Sequence, residues 1–172
     1  MVRVVSPLAL AGLILMSLPA AGIAAPVAAS PKARTSVMLI KPLSLVRVND
    51  MDFATLGVTT GGTATIDPIG GSMTVTGGLL HLSGTPSPAR YAGSALKKSV
   101  VNIRVPKQPM LIRRIGGTET LSVSNFTLDG QDKQDLADAA YFIFAVGARI
   151  TIPAGTVEGV YSGDIDVTVQ YP

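Results

Sequence analysis

The 172-residue chain has no cysteine and no tryptophan, and a single histidine, His81. Without cysteine there is no disulfide, no thiolate nucleophile and no cysteine-based metal site. Lipid attachment through an N-terminal cysteine is excluded for the same reason. A Ser–His–Asp triad would have to use His81. That residue sits between Leu80 and Leu82 on a strand-like run and reads as surface. Aromatic residues make up 5% of the chain, so the stacking platforms of a sugar-cleaving cleft are scarce. Charge is thin as well: 15% of residues are charged and the net charge is +3. The longest basic clusters are the pairs Lys97-Lys98 and Arg113-Arg114, too short for a nucleic-acid groove.

What the chain does have begins at its front. Arg3 precedes an apolar run from Val4 to about Leu18, followed by small residues, which is the anatomy of a secretory signal peptide. The expected cut follows Ala24, with Gly22 at −3, leaving 148 of the 172 residues. Pro7 and Pro19 interrupt the apolar run and no positive stop-transfer flank follows, which argues against a retained span. The expected destination is the periplasm, the cell surface or the medium. Residues 25–36, "APVAASPKARTS", read as a flexible N-terminal arm. Residues 37–172 read as a single domain.

That domain is short β-prone runs divided by Gly, Pro, Thr and Ser. Residues 37–48 form a strand interrupted by Pro42, which has no N–H to give to a ladder. Residues 51–58 follow, and residues 61–78 read as two strands around the turn "DPIGG". In 99–106, Val101, Ile103 and Val105 share one face, with Asn102 and Arg104 on the other. In 118–130 the apolar parity switches from Leu121 and Val123 to Phe126 and Leu128, which predicts a bulge near Ser124-Asn125. In 141–153, Phe142, Phe144, Val146, Ala148, Ile150 and Ile152 line one side. Only "QDKQDLADAA" (131–140) reads as helical. The glycine pairs at 61–62, 70–71, 77–78 and 116–117 read as turns. The expectation is an all-β, immunoglobulin-like antiparallel β-sandwich of roughly 7–10 short strands.

Chemistry-bearing groups are few. Asp164 and Asp166 share a face of the last strand, and the expectation for them is solvated charge rather than a catalytic pair. Asp129, Asp132, Asp135 and Asp138 recur every third residue. Oxygen ligands at that spacing raise calcium, but the pattern is not that of an EF-hand loop. Asn125-Phe126-Thr127 matches a glycosylation acceptor and reads as ordinary strand residues.

The chain ends on "GVYSGDIDVTVQYP" (159–172). Tyr161, Gly163, Ile165, Val167, Val169 and Tyr171 fall on one side; Ser162, Asp164, Asp166, Thr168 and Gln170 fall on the other. This predicts a terminal strand with one apolar face and makes its neighbour the central question.

Several stretches together resemble the domain of unknown function 4402 family. They are "MDFATLGV", "TATIDPIGG", "GTPSPARY", "GGTETLSVSNFTLDG" and the run from Gly147 to the end. The resemblance spans about Val37 to Pro172 and implies a small, exported, β-rich protein, with no catalytic residues to carry over. The ending also resembles that of chaperone–usher pilin and spore-coat-like subunits: Tyr171 is penultimate, Val169, Val167 and Ile165 alternate, and Gly159 is fourteenth from the end. That resemblance implies a sandwich completed by a strand from another chain, with Gly159, Tyr161, Ile165, Val167, Val169 and Tyr171 as assembly residues. The partners would be a second copy or a periplasmic chaperone. The only arm apolar enough to act as a donor is "SVMLIKPLSLVRV".

The leading expectation is an exported, non-enzymatic structural or surface-assembly protein with no cofactor. The alternative is a self-contained secreted module for a glycan or protein, with "TPSPARYAGSALKKS" and "DGQDKQDLADAA" as recognition loops. A small outer-membrane barrel ranks below both, because the strands are short and prolines interrupt the chain.

Overall fold

The computed structural model describes residues 36, 37 and 43–172. The expected signal peptide, and the arm up to Thr35, lie outside the described residues, as do 38–42, the part of the first expected strand that holds Pro42. No helix forms among the described residues. Eleven strands follow in order: β1 (Ser44–Asn49), β2 (Thr55–Ile66), β3 (Met73–Ser83), β4 (Ala89–Ser94), β5 (Val100–Arg104), β6 (Met110–Arg114), β7 (Thr120–Leu128), β8 (Lys133–Asp135), β9 (Tyr141–Ile152), β10 (Tyr161–Ser162) and β11 (Thr168–Gln170). All pairings are antiparallel, and the all-β sandwich expected from the alternation is present.

β9 organises the larger sheet. Its first half pairs with β4 and its second half with β2, both along one edge, while β7 pairs along the other. The path β1-β4-β9-β7-β6-β10 curls, and β11-β5-β8 forms a separate three-stranded sheet. The side chains that β9 points inward are almost wholly enclosed: Phe142, Phe144, Val146, Ala148, Ile150 and Ile152 are 0–6% exposed. Burial of such side chains is the main term holding a fold of this kind together.

The core has two clusters. In one, Ala89, Tyr91, Phe142, Phe144 and Val146 of the large sheet meet Val101 and Ile103 of the small one and Leu136 just after β8. Phe144 stacks against Tyr91 at 5.2 Å and Phe142 at 6.2 Å between ring centroids. In the other, Ala64, Leu79, Leu121, Val123, Ala148 and Ile150 pack inside the curl of the large sheet. Phe126 and Met51 pack against both.

The structure corrects three local expectations. "QDKQDLADAA" is not helical, because Lys133–Asp135 pairs with Val100–Asn102 as β8. Ladder bonds there override the helix propensity of Lys and Gln. The stretch 85–99 is not a free loop, since Ala89–Ser94 forms β4 between β1 and β9 and buries Tyr91. The glycine pairs 61–62 and 77–78 are not turns. They face one another inside the β2–β3 hairpin, Gly61 opposite Gly78 and Gly62 opposite Gly77, at a register shift. Gly61 and Gly77 hold φ of 82° and 72°, which β-carbon-bearing residues adopt at a cost. The turn is at 67–72, where Asp67 accepts from Gly71 N (3.0 Å) through its carbonyl and from Gly70 N (3.0 Å) through its carboxylate.

The predicted face switch in β7 is a bulge. The register shifts between Ser124 and Thr127, and Asn125 takes φ of 51°. The extra residue turns Phe126 and Leu128 to the same interior as Leu121 and Val123.

Candidate functional site

The C-terminal run keeps its predicted parity. Tyr161, Ile165, Val167, Val169 and Tyr171 are half-buried, while Ser162, Asp164, Asp166, Thr168 and Gln170 are exposed. It is not one strand, however. Tyr161 and Ser162 pair with Arg114 and Arg113 at the edge of the large sheet. Thr168–Gln170 pairs with Arg104, Ile103 and Asn102 at the edge of the small one. Residues 163–167 between them carry no strand pairing. The neighbours that the sequence left open are thus β6 and β5 of the same chain, while Ser44–Asn49 pairs with β4.

Of the assembly residues expected from the sequence, all but Ile165, which is half-buried in the unpaired span, pack on the core or on β6. Tyr161 packs on the cluster inside the curl and donates its hydroxyl to Val157 O at 2.7 Å. Val167, Val169 and Tyr171 pack on the other cluster, and the Tyr171 hydroxyl accepts from Leu96 N at 3.0 Å. Gly159 lies against the stem of Arg114, where an added Cβ would stand 2.8 Å from Cδ. Gly163, on the same parity as Tyr161, is exposed, and a Cβ there would stand 2.8 Å from Ile112 Cγ2. These glycines let the chain lie flush on β6. The apolar parity thus serves the chain's own core. What the run offers outward is its backbone edge, since β10 and β11 each end their sheet.

Arg114, beneath this run, is held in place by Glu119. Its Nε donates to Oε2 at 2.7 Å and its Nη2 to Oε1 at 3.1 Å. The Arg114 bonds, helped by the backbone N–H groups of Glu119 and Thr118, pull the Glu119 carboxyl down to about 2. A lowered folded-state value means that the stabilisation is complete above the ordinary carboxylate range. It is lost as pH falls through about 2.

A second edge lies at β1, the first strand of the large sheet. Its outward Val46 (63% exposed) stands opposite Ala92, which stands opposite Ile143 (60% exposed), giving an apolar row across three strands.

Two hollows open on the surface. One, of about 360 Å³, lies over the outer face of β2, β3 and β9 beside Pro68 and Thr127. The other, of about 570 Å³, lies between the end of β5 with Arg104 and Lys107 and the β7 bulge with Asn125 and Phe126. His81 is on the surface, its Nε2 3.1 Å from Gly84 O. The aspartates of 129–138 do not gather: Asp135 accepts from Ala137 N, Asp138 lies 3.7 Å from Lys98, and Asp132 lines the larger hollow. Among the described residues no group of three His, Cys, Asp or Glu side chains is placed to hold a metal ion. No described helix is long and apolar enough to cross a membrane. Sequence reading missed the β1 row and both hollows, because each joins residues from strands whose register only the fold supplies.

No curated protein and no solved structure matches the chain. A family model, the domain of unknown function DUF4402, matches residues 43–171, from the residue before β1 to the penultimate tyrosine. The motifs that carried the resemblance fall on β2, β4, β7, the second half of β9 and the C-terminal run, and the chain belongs to the DUF4402 family.

Proposed function

We propose that this is an exported, non-enzymatic surface-assembly protein that joins its neighbours by adding a strand along the C-terminal run. One observation carries this reading: from Tyr161 to Gln170 one edge of the run meets β6 and then β5, and no described strand lies on the other. A row of unpaired N–H and C=O groups beside a stretch with no ladder of its own is a template for an incoming extended chain. The apolar row ending at Val46 adds a second exposed edge of the same kind. The partner is a second copy or a periplasmic chaperone.

The fold limits which segment can be the donor. Ser44–Asn49 is the domain's own β1, so a donor from this chain must come from residues before Leu43. Their sequence includes the apolar run Val37-Met38-Leu39-Ile40. The test compares the mature chain with one starting at Leu43 by light scattering over a range of concentrations. The mature chain is expected to form oligomers and the shortened chain to stay monomeric. Equal assembly of the two would sink the donor-arm mechanism.

A further inference from the structure

The outer face of β3, β2, β9 and β7 carries an ordered array of hydroxyl groups. Register places Thr76, Thr63, Thr151 and Ser122 in one row across the four strands. Two residues along each strand lies a second row: Thr74, Thr65, Arg149 and Ser124. Neighbours in a row are about 4.8 Å apart and the rows about 7 Å apart. The residues between them, Val75, Ala64, Ile150 and Val123, point into the core.

Threonine favours strands by itself; what distinguishes this face is Arg149. Its Nε donates to Thr65 Oγ1 at 3.2 Å, which holds the guanidinium within the array and beside the hollow of about 360 Å³. Arg149 forms no ion pair among the described residues. Asp67, at one end of the hollow, already accepts from Gly70 N. Thr63 and Thr76 share a hydroxyl–hydroxyl bond of 2.8 Å, so the side chains are positioned before any ligand arrives.

The array also limits the class of ligand. β2 is bonded to strands on both edges at Gly62–Thr65, and β9 on both edges at Arg149–Thr151. Neither has a backbone edge to offer, so strand addition could occur only along the outer edge of β3 and not over the centre of the array. Hydroxyls both donate and accept, matching the hydroxyls of a polyol, and a guanidinium matches a carboxylate. We propose that this face binds a carboxylate-bearing glycan chain of the uronate type, with Arg149 holding a carboxylate and the threonine rows holding ring hydroxyls. The site is separate from the C-terminal edge and does not depend on the assembly reading.

The experiment is an NMR titration of the isotope-labelled mature chain with tetragalacturonate, with a neutral tetrasaccharide and tetraglutamate alongside. The uronate is expected to shift the amides around Thr63, Thr65, Thr74 and Arg149 and to bind about tenfold or more tightly than either control. Arg149→Gln is expected to remove that advantage, and Thr74→Val, which keeps the charge, to weaken all saccharide binding. Each variant's unperturbed spectrum serves as its folding control. Equal binding of tetraglutamate or of the neutral sugar, shifts centred on Arg104 and Lys107, an unaffected Arg149→Gln, or no shifts at about 10 mM would each overturn the proposal.

Discussion

β9 and the C-terminal run look alike as sequence and differ as structure. In each, every second residue is apolar over eleven residues, Phe142–Ile152 and Tyr161–Tyr171, and apart from Gly163 those residues turn inward when folded. β9 is continuous over Tyr141–Ile152 and has strands along both edges. The C-terminal run is two short strands of two and three residues, each bonded along one edge, with an unpaired span between. Alternation therefore determines which way side chains point, a consequence of burial, while pairing depends on whether another strand is at hand.

Amide hydrogen exchange tests this contrast most directly, and the effect is expected to be largest there. Amides of Phe144–Ile150 should exchange only through global opening, whereas those of Gly163–Val167 should exchange orders of magnitude faster. Comparable protection in the isolated monomer would mean that the span has a partner strand after all. Substitution comes next. Phe144→Ala removes a fully buried ring stacked between two others and is expected to cost about 3–5 kcal/mol in urea denaturation. Ile165→Ala, at a half-buried position, should cost about 1–2 kcal/mol. Similar losses at the two sites would erase the distinction. The smallest contrast lies between two glycines. A Cβ at Gly147 would collide with the backbone oxygen of Ile66 and with Pro68, so Gly147→Ala should cost about 1–3 kcal/mol. At Gly163 the contacts are looser, 2.8 Å to Ile112 Cγ2 and 3.2 Å to its Cα, and the site is exposed, so Gly163→Ala should cost less, about 0.5–1.5 kcal/mol. Thermal denaturation of the pair gives the order.

Features set by one strand's own residues were readable in the sequence. The inward face of β9, the Val101/Ile103/Val105 face and the β7 bulge all follow from where apolar residues sit. Features that depend on a distant partner were not readable. β4 resembles a loop because Ala89, Ala92 and Gly93 are small, and Gly93 is small because the Phe142 ring lies over it. β8 has the composition of a helix and becomes a strand through Val100–Asn102. For the C-terminal run, facing was legible and the break at 163–167 was not. The hydroxyl array shows the same limit: "TAT" and "TVT" are plain in the sequence, but Arg149 stands 84 residues from Thr65 and joins the array only through the β2–β9 register.

The facing glycine pairs in the β2–β3 hairpin divide it into two panels. The inner panel, Gly62–Ile66 with Met73–Gly77, carries four threonines of the array and is fastened to β9. The outer panel, Thr55–Val58 with Leu79–Ser83, extends beyond that attachment and shows Leu80 and Leu82, 57% and 62% exposed. The Thr59 hydroxyl closes the crease on Gly78 O at 2.9 Å, and Leu79 ties the outer panel to the core it shares with Ala64, while Leu80 and Leu82 point away from that core. One hairpin therefore presents two surfaces of opposite character, an exposed leucine flap and a threonine grid, joined through a single buried leucine.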